Sequence, residues 1–124
     1  MSRSDVLWLD EPEDHDYEAA STYLTLLGAR QAVEGIVQGL KRYDVVWFEA
    51  KDILRASTLP LLPEDNEHVA KDLKKVREGK KLSPILLVCG DWDKGTPLIV
   101  ADGYHRICAS WYADENTEVP VRIF

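Results

Sequence analysis

The most informative segment of the chain reads Leu98-Ile-Val-Ala-Asp-Gly-Tyr-His-Arg-Ile-Cys-Ala109. Its first four residues are apolar and include two β-branched side chains, which predicts a strand. Asp102 and Gly103 break that strand, and the residues after them predict a helix over Tyr104–Ala113. The segment therefore predicts a strand, a glycine turn and a helix that carries a histidine and an arginine in its first turn.

The start of this predicted helix has the composition of an anion-binding site. Helix N-termini expose unpaired N–H groups and a partial positive charge, and Gly103 permits a ligand to approach the backbone closely. Arg106 adds a forked, permanently charged donor, and His105 adds a donor that can also carry a proton. In the alternative interpretation Gly103 only makes the turn, Arg106 pairs with a nearby acid and His105 packs. The strand–turn–helix context favours phosphate binding.

Apolar periodicity and turn residues predict the other elements. In chain order they are a short extended segment over Val6–Leu9, helices over Glu13–Leu27 and Ala29–Arg42, a strand over Val45–Phe48, helices over Lys51–Ala56 and Glu67–Glu78, strands over Pro84–Cys89 and Leu98–Ala101, the Tyr104–Ala113 helix and a strand over Val119–Phe124. Asp65 or Asn66 is expected to cap the Glu67 helix, and Asp91–Gly95 to form a hairpin turn. This order is typical of an α+β fold with a mixed sheet.

The composition indicates one globular domain of 124 residues. A net charge of −7 argues against a protein that coats duplex DNA, because phosphate neutralisation dominates such affinity. No apolar run is long enough to cross a bilayer, and the N-terminus Met-Ser-Arg-Ser-Asp lacks the apolar stretch of a secretion signal. Cys89 and Cys108 lie among apolar neighbours, which predicts reduced core residues of a cytoplasmic protein. Trp8, Trp47 and Trp111 are also expected in the core.

A known family carries a similar segment. The run Asp102-Gly-Tyr-His-Arg106, followed by Ala109, resembles the signature of the ParB/sulfiredoxin superfamily. That family's opening strand, helix, Pro-Ile strand, hairpin, signature helix and final Val-Pro strand have counterparts in Val45–Phe48, Glu67–Glu78, Ser83–Ile85, Leu98–Ala101, Tyr104–Ala113 and Val119-Pro120. The resemblance implies a ParB/sulfiredoxin-like core over residues 44–124. Residues 1–43 would then be an N-terminal helical extension packed on that core, within one compact domain.

The resemblance also implies roles for individual residues. It implies that phosphates are bound by Gly103, Tyr104, His105 and Arg106, by Lys71, Lys75 and His68 on one helix face, and by Ser83 and Arg55. The catalytic candidates are His105, as acid, base or hydrogen-bond donor, and Asp102, which would orient it or hold Mg²⁺ through water. Asp102 could also simply cap the helix, and Lys71 and Lys75 could simply form a solvated face. Tyr104 stands where sulfiredoxins carry their nucleophilic cysteine, so sulfiredoxin chemistry is excluded.

The sequence thus predicts a phosphate- or nucleotide-binding ParB-like domain. The resemblance implies nucleotide hydrolysis or phosphoryl transfer, with Mg²⁺ bound together with a nucleoside triphosphate. The alternative is a non-catalytic module that senses a nucleotide, or that binds a protein partner or a second copy through the acidic N-terminal helices. A nuclease is the weakest candidate, because the sequence shows neither a metal-binding acid cluster nor a basic stripe. Since the sequence ends directly after its last predicted strand, we expect no DNA-reading helix-turn-helix.

Overall fold

The computed structural model describes residues 6–28 and 30–124 and forms six strands and five helices there. They are β1 (Leu7–Trp8), α1 (Asp14–Leu26), α2 (Val33–Arg42), β2 (Val46–Glu49), α3 (Ala50–Ser57), α4 (Glu67–Arg77), β3 (Lys81–Leu82), β4 (Ile85–Val88), β5 (Ile99–Asp102), α5 (Tyr104–Ala113) and β6 (Glu118–Ile123). The N-terminal pentapeptide and Ala29, the predicted start of the second helix, lie outside the described residues. The described helices are each too short or too polar to cross a membrane.

A four-stranded mixed sheet forms the centre of the molecule, with strand order β2-β6-β4-β5. Strands β2 and β6 pair antiparallel, β6 and β4 pair parallel, and β4 and β5 form an antiparallel hairpin. A second, two-stranded parallel sheet pairs Leu7 with Lys81 and Trp8 with Leu82. The predicted α+β class with a mixed sheet is confirmed, whereas the short strand β3 was not expected from the sequence.

Helices cover both faces of the sheet. Successive side chains of β4 point to opposite faces, and each set is buried against helices. Leu86 faces α1 and α2, where it packs with Tyr17, Ala20, Leu24, Val33 and Leu40. Ile85 and Leu87 face α3, α4 and α5, where they join Ile53, Val69, Leu73, Ile107 and Val121. The two buried layers hold the N-terminus of α5 and the N-terminus of α1 at the same end of β5.

Local capping follows the predicted chemistry. The side chain of Asn66 accepts hydrogen bonds from the N–H groups of His68 and Val69, at 3.0 and 3.2 Å, and so caps α4. A cap of this kind stabilises a helix by about 1 kcal/mol. The Asp91 carboxylate accepts from the N–H groups of Asp93 and Lys94 and closes the hairpin turn. Both predictions are confirmed.

Two predicted core residues are exposed. Cys89 lies beyond the last residue of β4 and is exposed, while Cys108 is buried as predicted. Trp47 is 54% exposed because β2 is an edge strand of the sheet. An apolar run in the sequence marks a strand but does not say whether a neighbour will cover every residue of it, so both predictions of burial were wrong.

Candidate functional site

A polar cleft of about 290 Å³ opens at the N-terminal end of α5. Four parts of the fold meet there: the start of α1, the inner part of α4, the β3 segment and the turn between β5 and α5. Its charged and titratable lining includes Asp72, Lys75, Lys81, Asp102, His105 and Arg106. The segment with the anion-binding composition therefore borders a cavity that a ligand could enter.

Gly103 shapes the floor of this cleft. It is the N-cap of α5 and has a φ of +108°, a conformation that L side chains rarely adopt. A Cβ at this position would overlap the Cδ1 of Ile85 and lie 2.8 Å from the Nη2 of Arg106. Because glycine has no side chain, it leaves the first-turn N–H groups of α5 without a cap from their own N-cap residue.

Two carboxylates and a hydroxyl hold the Arg106 side chain. We call these four residues, Asp16, Ser83, Asp102 and Arg106, the buried wall. Arg106 Nη1 donates to Ser83 Oγ at 2.6 Å and to Asp16 Oδ1 at 3.1 Å, and its Nη2 donates to Asp102 Oδ2 at 2.6 Å. The side chain is only 15% exposed. Its Nε is buried and has no hydrogen-bond partner among the described residues. Arg106 is thus paired with acids, as the alternative interpretation predicted.

The two carboxylates of the buried wall have opposite proton affinities. Burial, opposed by the Arg106 charge, raises the pKa of Asp102 to about 6. Burial also acts to raise the pKa of Asp16. The charge of Arg106 and hydrogen bonds from Ser83, the Glu13 N–H and Arg106 together outweigh it, and the pKa of Asp16 falls below its usual value. Asp16 is therefore the firmly ionised partner, and Asp102 is the carboxyl that takes a proton near neutral pH.

The opposite side of the cleft, the open wall, consists of Lys75, Lys81 and His105. Lys75 projects from α4, and Lys81 begins β3. The His105 ring lies 4.7 Å from the His68 ring, centroid to centroid. Burial, with His68 and Arg106 nearby, lowers the pKa of His105 although Asp72 opposes the shift, so the imidazole is neutral at pH 7. The open wall offers two ammonium groups and one neutral donor or acceptor.

Six residues predicted from the sequence line the cleft: Lys75, Ser83, Asp102, Gly103, His105 and Arg106. His68 reaches it only through its contact with His105. The other three predicted residues point elsewhere. The Tyr104 hydroxyl donates to the carbonyl oxygen of Pro60, Arg55 is ion-paired with Asp52 at 3.0 Å, and Lys71 is exposed on α4. Tyr104 thus anchors the loop before α4, together with Tyr112, which donates to Leu62 O.

Sequence reasoning missed Asp16, Asp72 and Lys81. Asp16 occupies the third position of α1, where its carboxylate accepts the Glu13 N–H in a capping box. A capping box is a local signal and does not show that the second oxygen reaches Arg106, 90 residues away. Lys81 ends the lysine-rich segment Lys71–Lys81, which does not show where the side chain points, because its orientation depends on the pairing of β3 with β1.

The donor set of the cleft does not form a resident metal centre. Among residues 6–28 and 30–124, no group of three or more His, Cys, Asp or Glu side chains is arranged to hold a metal ion. The carboxylates that line the cleft beside the lysines are Asp72, Asp102 and the exposed Glu13, and burial raises the pKa of Asp72 and Asp102. One or two carboxylates fit a magnesium ion that a ligand's phosphates also coordinate.

Comparison of the chain with protein-family models, curated proteins and solved structures gives no match. The ParB/sulfiredoxin resemblance therefore stays a prediction that depends on the residues of the signature segment and on the order of elements over residues 44–124.

Proposed function

We propose that the chain is a phosphate- or nucleotide-binding domain of ParB-like type, with the ligand's phosphate in the cleft at the N-terminus of α5. The observation that carries the proposal is the conjunction, in one open cleft, of an uncapped helix N-terminus with Lys75 and Lys81. Backbone N–H groups and a helix dipole favour an anion at such a position. Lysine ammonium groups add compact positive charge that phosphate oxygens accept.

The size and charge of the cleft favour the phosphate part of a ligand. About 290 Å³ is at the low end of ligand-binding cavities and accommodates phosphate groups more readily than a whole nucleotide. The base and sugar of a nucleotide would then extend towards solvent. Mg²⁺ would enter with the nucleotide, with Asp72 and Asp102 as its protein ligands, and would supply charge neutralisation of the phosphates. His105 would donate a hydrogen bond to, or accept a proton from, the bound group.

A thermal-shift panel tests this function. It would include ATP, CTP, GTP, their diphosphates and inorganic phosphate, each with and without Mg²⁺, on the wild type and on Lys75→Ala/Lys81→Ala. The matched control is Lys74→Ala/Lys80→Ala, which removes the same charge from exposed positions next to the cleft residues. A ligand that binds only the native state raises Tm by mass action.

We expect at least one phosphate compound to raise Tm in the wild type and the control, and to have little effect on the Lys75→Ala/Lys81→Ala variant. Equal shifts in both double variants would mean that the compound binds outside the cleft. The absence of a shift with every compound, confirmed by calorimetric titration at millimolar concentration, would reject phosphate binding. Turnover of the bound nucleotide would then separate an enzyme from a sensor.

The second candidate is an interaction module that uses the N-terminal helices. The end of α1 exposes Tyr23, Leu26 and Leu27, and Leu26 is 80% exposed. An exposed apolar cluster of this kind favours association. Sedimentation velocity over a range of concentrations tests for a second copy as the occupant. Leu26→Asp should abolish any dimer seen for the wild type, whereas a wild type that stays monomeric at high concentration would leave only a different protein partner.

A further inference from the structure

One of the groups that occupy the Arg106 guanidinium comes from α1. Asp16 lies in the N-terminal helical pair, outside residues 44–124, yet its side chain is 3% exposed and contacts the guanidinium at 3.1 Å. Its carboxylate occupies one of the Nη1 hydrogen-bonding directions, and Ser83 Oγ occupies the other. A ligand phosphate that used the Arg106 fork would need to take the place of one of these groups.

The buried wall carries more negative than positive charge. Asp102 already pairs with Arg106 at 2.6 Å from the same segment of chain, four residues earlier. Asp16 is therefore a second carboxylate on one guanidinium, and its charge lies close enough to raise the pKa of Asp102. Of the two, Asp16 has the longer contact with Arg106, and its departure would relieve this like-charge repulsion.

Asp16 would keep part of its hydrogen bonding on leaving Arg106, although its buried carboxylate would lose its counter-charge. Its two oxygens have different partners: Oδ1 accepts from Arg106 at 3.1 Å and lies 3.6 Å from His15 Nε2, and Oδ2 accepts from the Glu13 N–H at 2.9 Å. The Oδ2 bond belongs to the capping box of α1 and does not depend on Arg106. If Arg106 turns to a ligand, Asp16 keeps its helix-capping hydrogen bond, so the exchange costs one ion pair and not a helix terminus.

We propose that Asp16 is an internal competitor of the ligand's phosphate: its carboxylate holds Arg106 in the ligand-free protein, and phosphate binding displaces it. The inference rests on the proposed function and adds its regulation. In the opposite role, Asp16 would be a positioning residue that orients Arg106 for the ligand. The two roles predict opposite signs, because removing a competitor strengthens binding whereas removing a positioning residue weakens it.

The test is isothermal titration of inorganic phosphate, at ionic strength matched with potassium chloride, into the wild type, Asp16→Asn and Asp14→Asn. Asn keeps the shape of the side chain and can still cap α1, and Asp14 is an exposed acid on the same first turn. We expect Asp16→Asn to bind phosphate about tenfold more tightly than the wild type. Asp14→Asn should stay within about twofold of it. In Asp16→Asn/Lys75→Ala/Lys81→Ala, binding should weaken again.

Each outcome separates the inference from the function. Tighter binding by Asp16→Asn but not by Asp14→Asn supports competition. Equal or weaker binding by Asp16→Asn, with a wild type that binds phosphate, overturns competition and leaves the function intact. If neither protein binds phosphate at millimolar concentration, the inference is rejected, and the nucleotide panel decides the proposed function by itself.

A second test uses the wild type alone and so does not depend on whether Asp16→Asn folds. The carboxyl carbon resonance of Asp16 is followed by NMR against pH, with and without saturating phosphate. Displacement from Arg106 should raise the pKa of Asp16 towards its usual value, because the guanidinium charge and its hydrogen bond are lost. An unchanged titration at saturation would overturn the inference even if Asp16→Asn failed to fold.

Discussion

The buried wall and the open wall each place cations at the same cleft, but in opposite surroundings. Arg106 is enclosed by Asp16, Ser83 and Asp102, whereas Lys75 and Lys81 face the open part of the cleft. A buried cation that is ion-paired within the protein is costly to reassign, because its partners would be left as uncompensated buried charges. An exposed cation such as Lys81 contributes little to stability and remains available to a ligand, and Lys75 is partly exposed beside it. The comparison teaches that burial, more than residue type, separates a structural cation from a binding one.

The largest effect should come from breaking the buried wall. Arg106→Ala leaves two buried carboxylates without their counter-charge, and we expect a loss of about 3–5 kcal/mol in the free energy of unfolding. Urea unfolding measures it. The control Arg55→Ala removes an exposed arginine that pairs with Asp52 and should cost less than about 1 kcal/mol. Similar losses in the two variants would show that the buried network does not stabilise the fold.

A substitution in the turn beneath Arg106 should lower the free energy of unfolding by almost as much. Gly103→Ala combines a positive φ with an overlap on Ile85, which we expect to cost about 3–4 kcal/mol in the free energy of unfolding. Gly79 also has a positive φ, but a Cβ there would meet no described atom within 4 Å. Gly79→Ala should therefore cost only about 1 kcal/mol. Chemical denaturation of both separates the overlap from the backbone strain, and equal costs would refute a tight floor of the cleft.

The pH dependence of the free energy of unfolding should distinguish Asp102 from Asp16 within the buried wall. Its pKa is about 6 in the folded protein and 3.8 in the unfolded chain, so the folded state holds the proton more tightly between about pH 4 and 6. The contribution of Asp102 to the free energy of unfolding therefore falls by about 2–3 kcal/mol as pH rises through that window. Asp16 has a lowered pKa, and its contribution is lost only below about pH 4.

Asp102→Asn isolates this effect from other titrating groups such as His105 and Asp72. The difference in unfolding free energy between Asp102→Asn and the wild type should become more favourable to the variant from pH 4 to 6.5. Guanidinium unfolding at several pH values gives that difference. A difference that stays constant with pH would mean that Asp102 titrates normally.

The smallest effect on stability is expected at the open wall. Lys75→Ala and Lys81→Ala should each change the free energy of unfolding by no more than about 0.5 kcal/mol. Each should weaken phosphate binding by about tenfold if the proposed function is right. Binding and urea titrations on the same samples measure both quantities. A lysine that stabilises the fold strongly but does not affect binding would belong with the buried wall.

The elements around the cleft could be predicted from the sequence because their signals are local. The predicted Tyr104–Ala113 helix, the hairpin and the Asn66 cap all agree with the structure. Periodicity, turn residues and capping residues act over only a few positions, and one sequence contains all of them.

The partners within the cleft could not be predicted, because they come from distant parts of the chain. Asp16 meets Arg106 only when α1 packs on the sheet through Tyr17, Ala20 and Leu24. Lys81 reaches the cleft only when the two-residue strands β1 and β3 pair. Exposure of Trp47 likewise depends on strand order, since β2 is at the sheet edge. Neither strand order nor helix docking leaves a signal within a short window of sequence.

The contact between Asp16 and Arg106 also has a consequence for how the cleft is completed during folding. Closing a loop of 90 residues costs about 4 kcal/mol of chain entropy, which exceeds what one ion pair contributes. The contact therefore follows from apolar docking of α1 and does not drive it. The turn and helix around Gly103 can form from neighbouring residues, but the neutralisation of Arg106 by α1 waits for the two ends of a long loop to meet. The chemistry of the cleft is thus set by global assembly and not by the segment that the sequence makes most conspicuous.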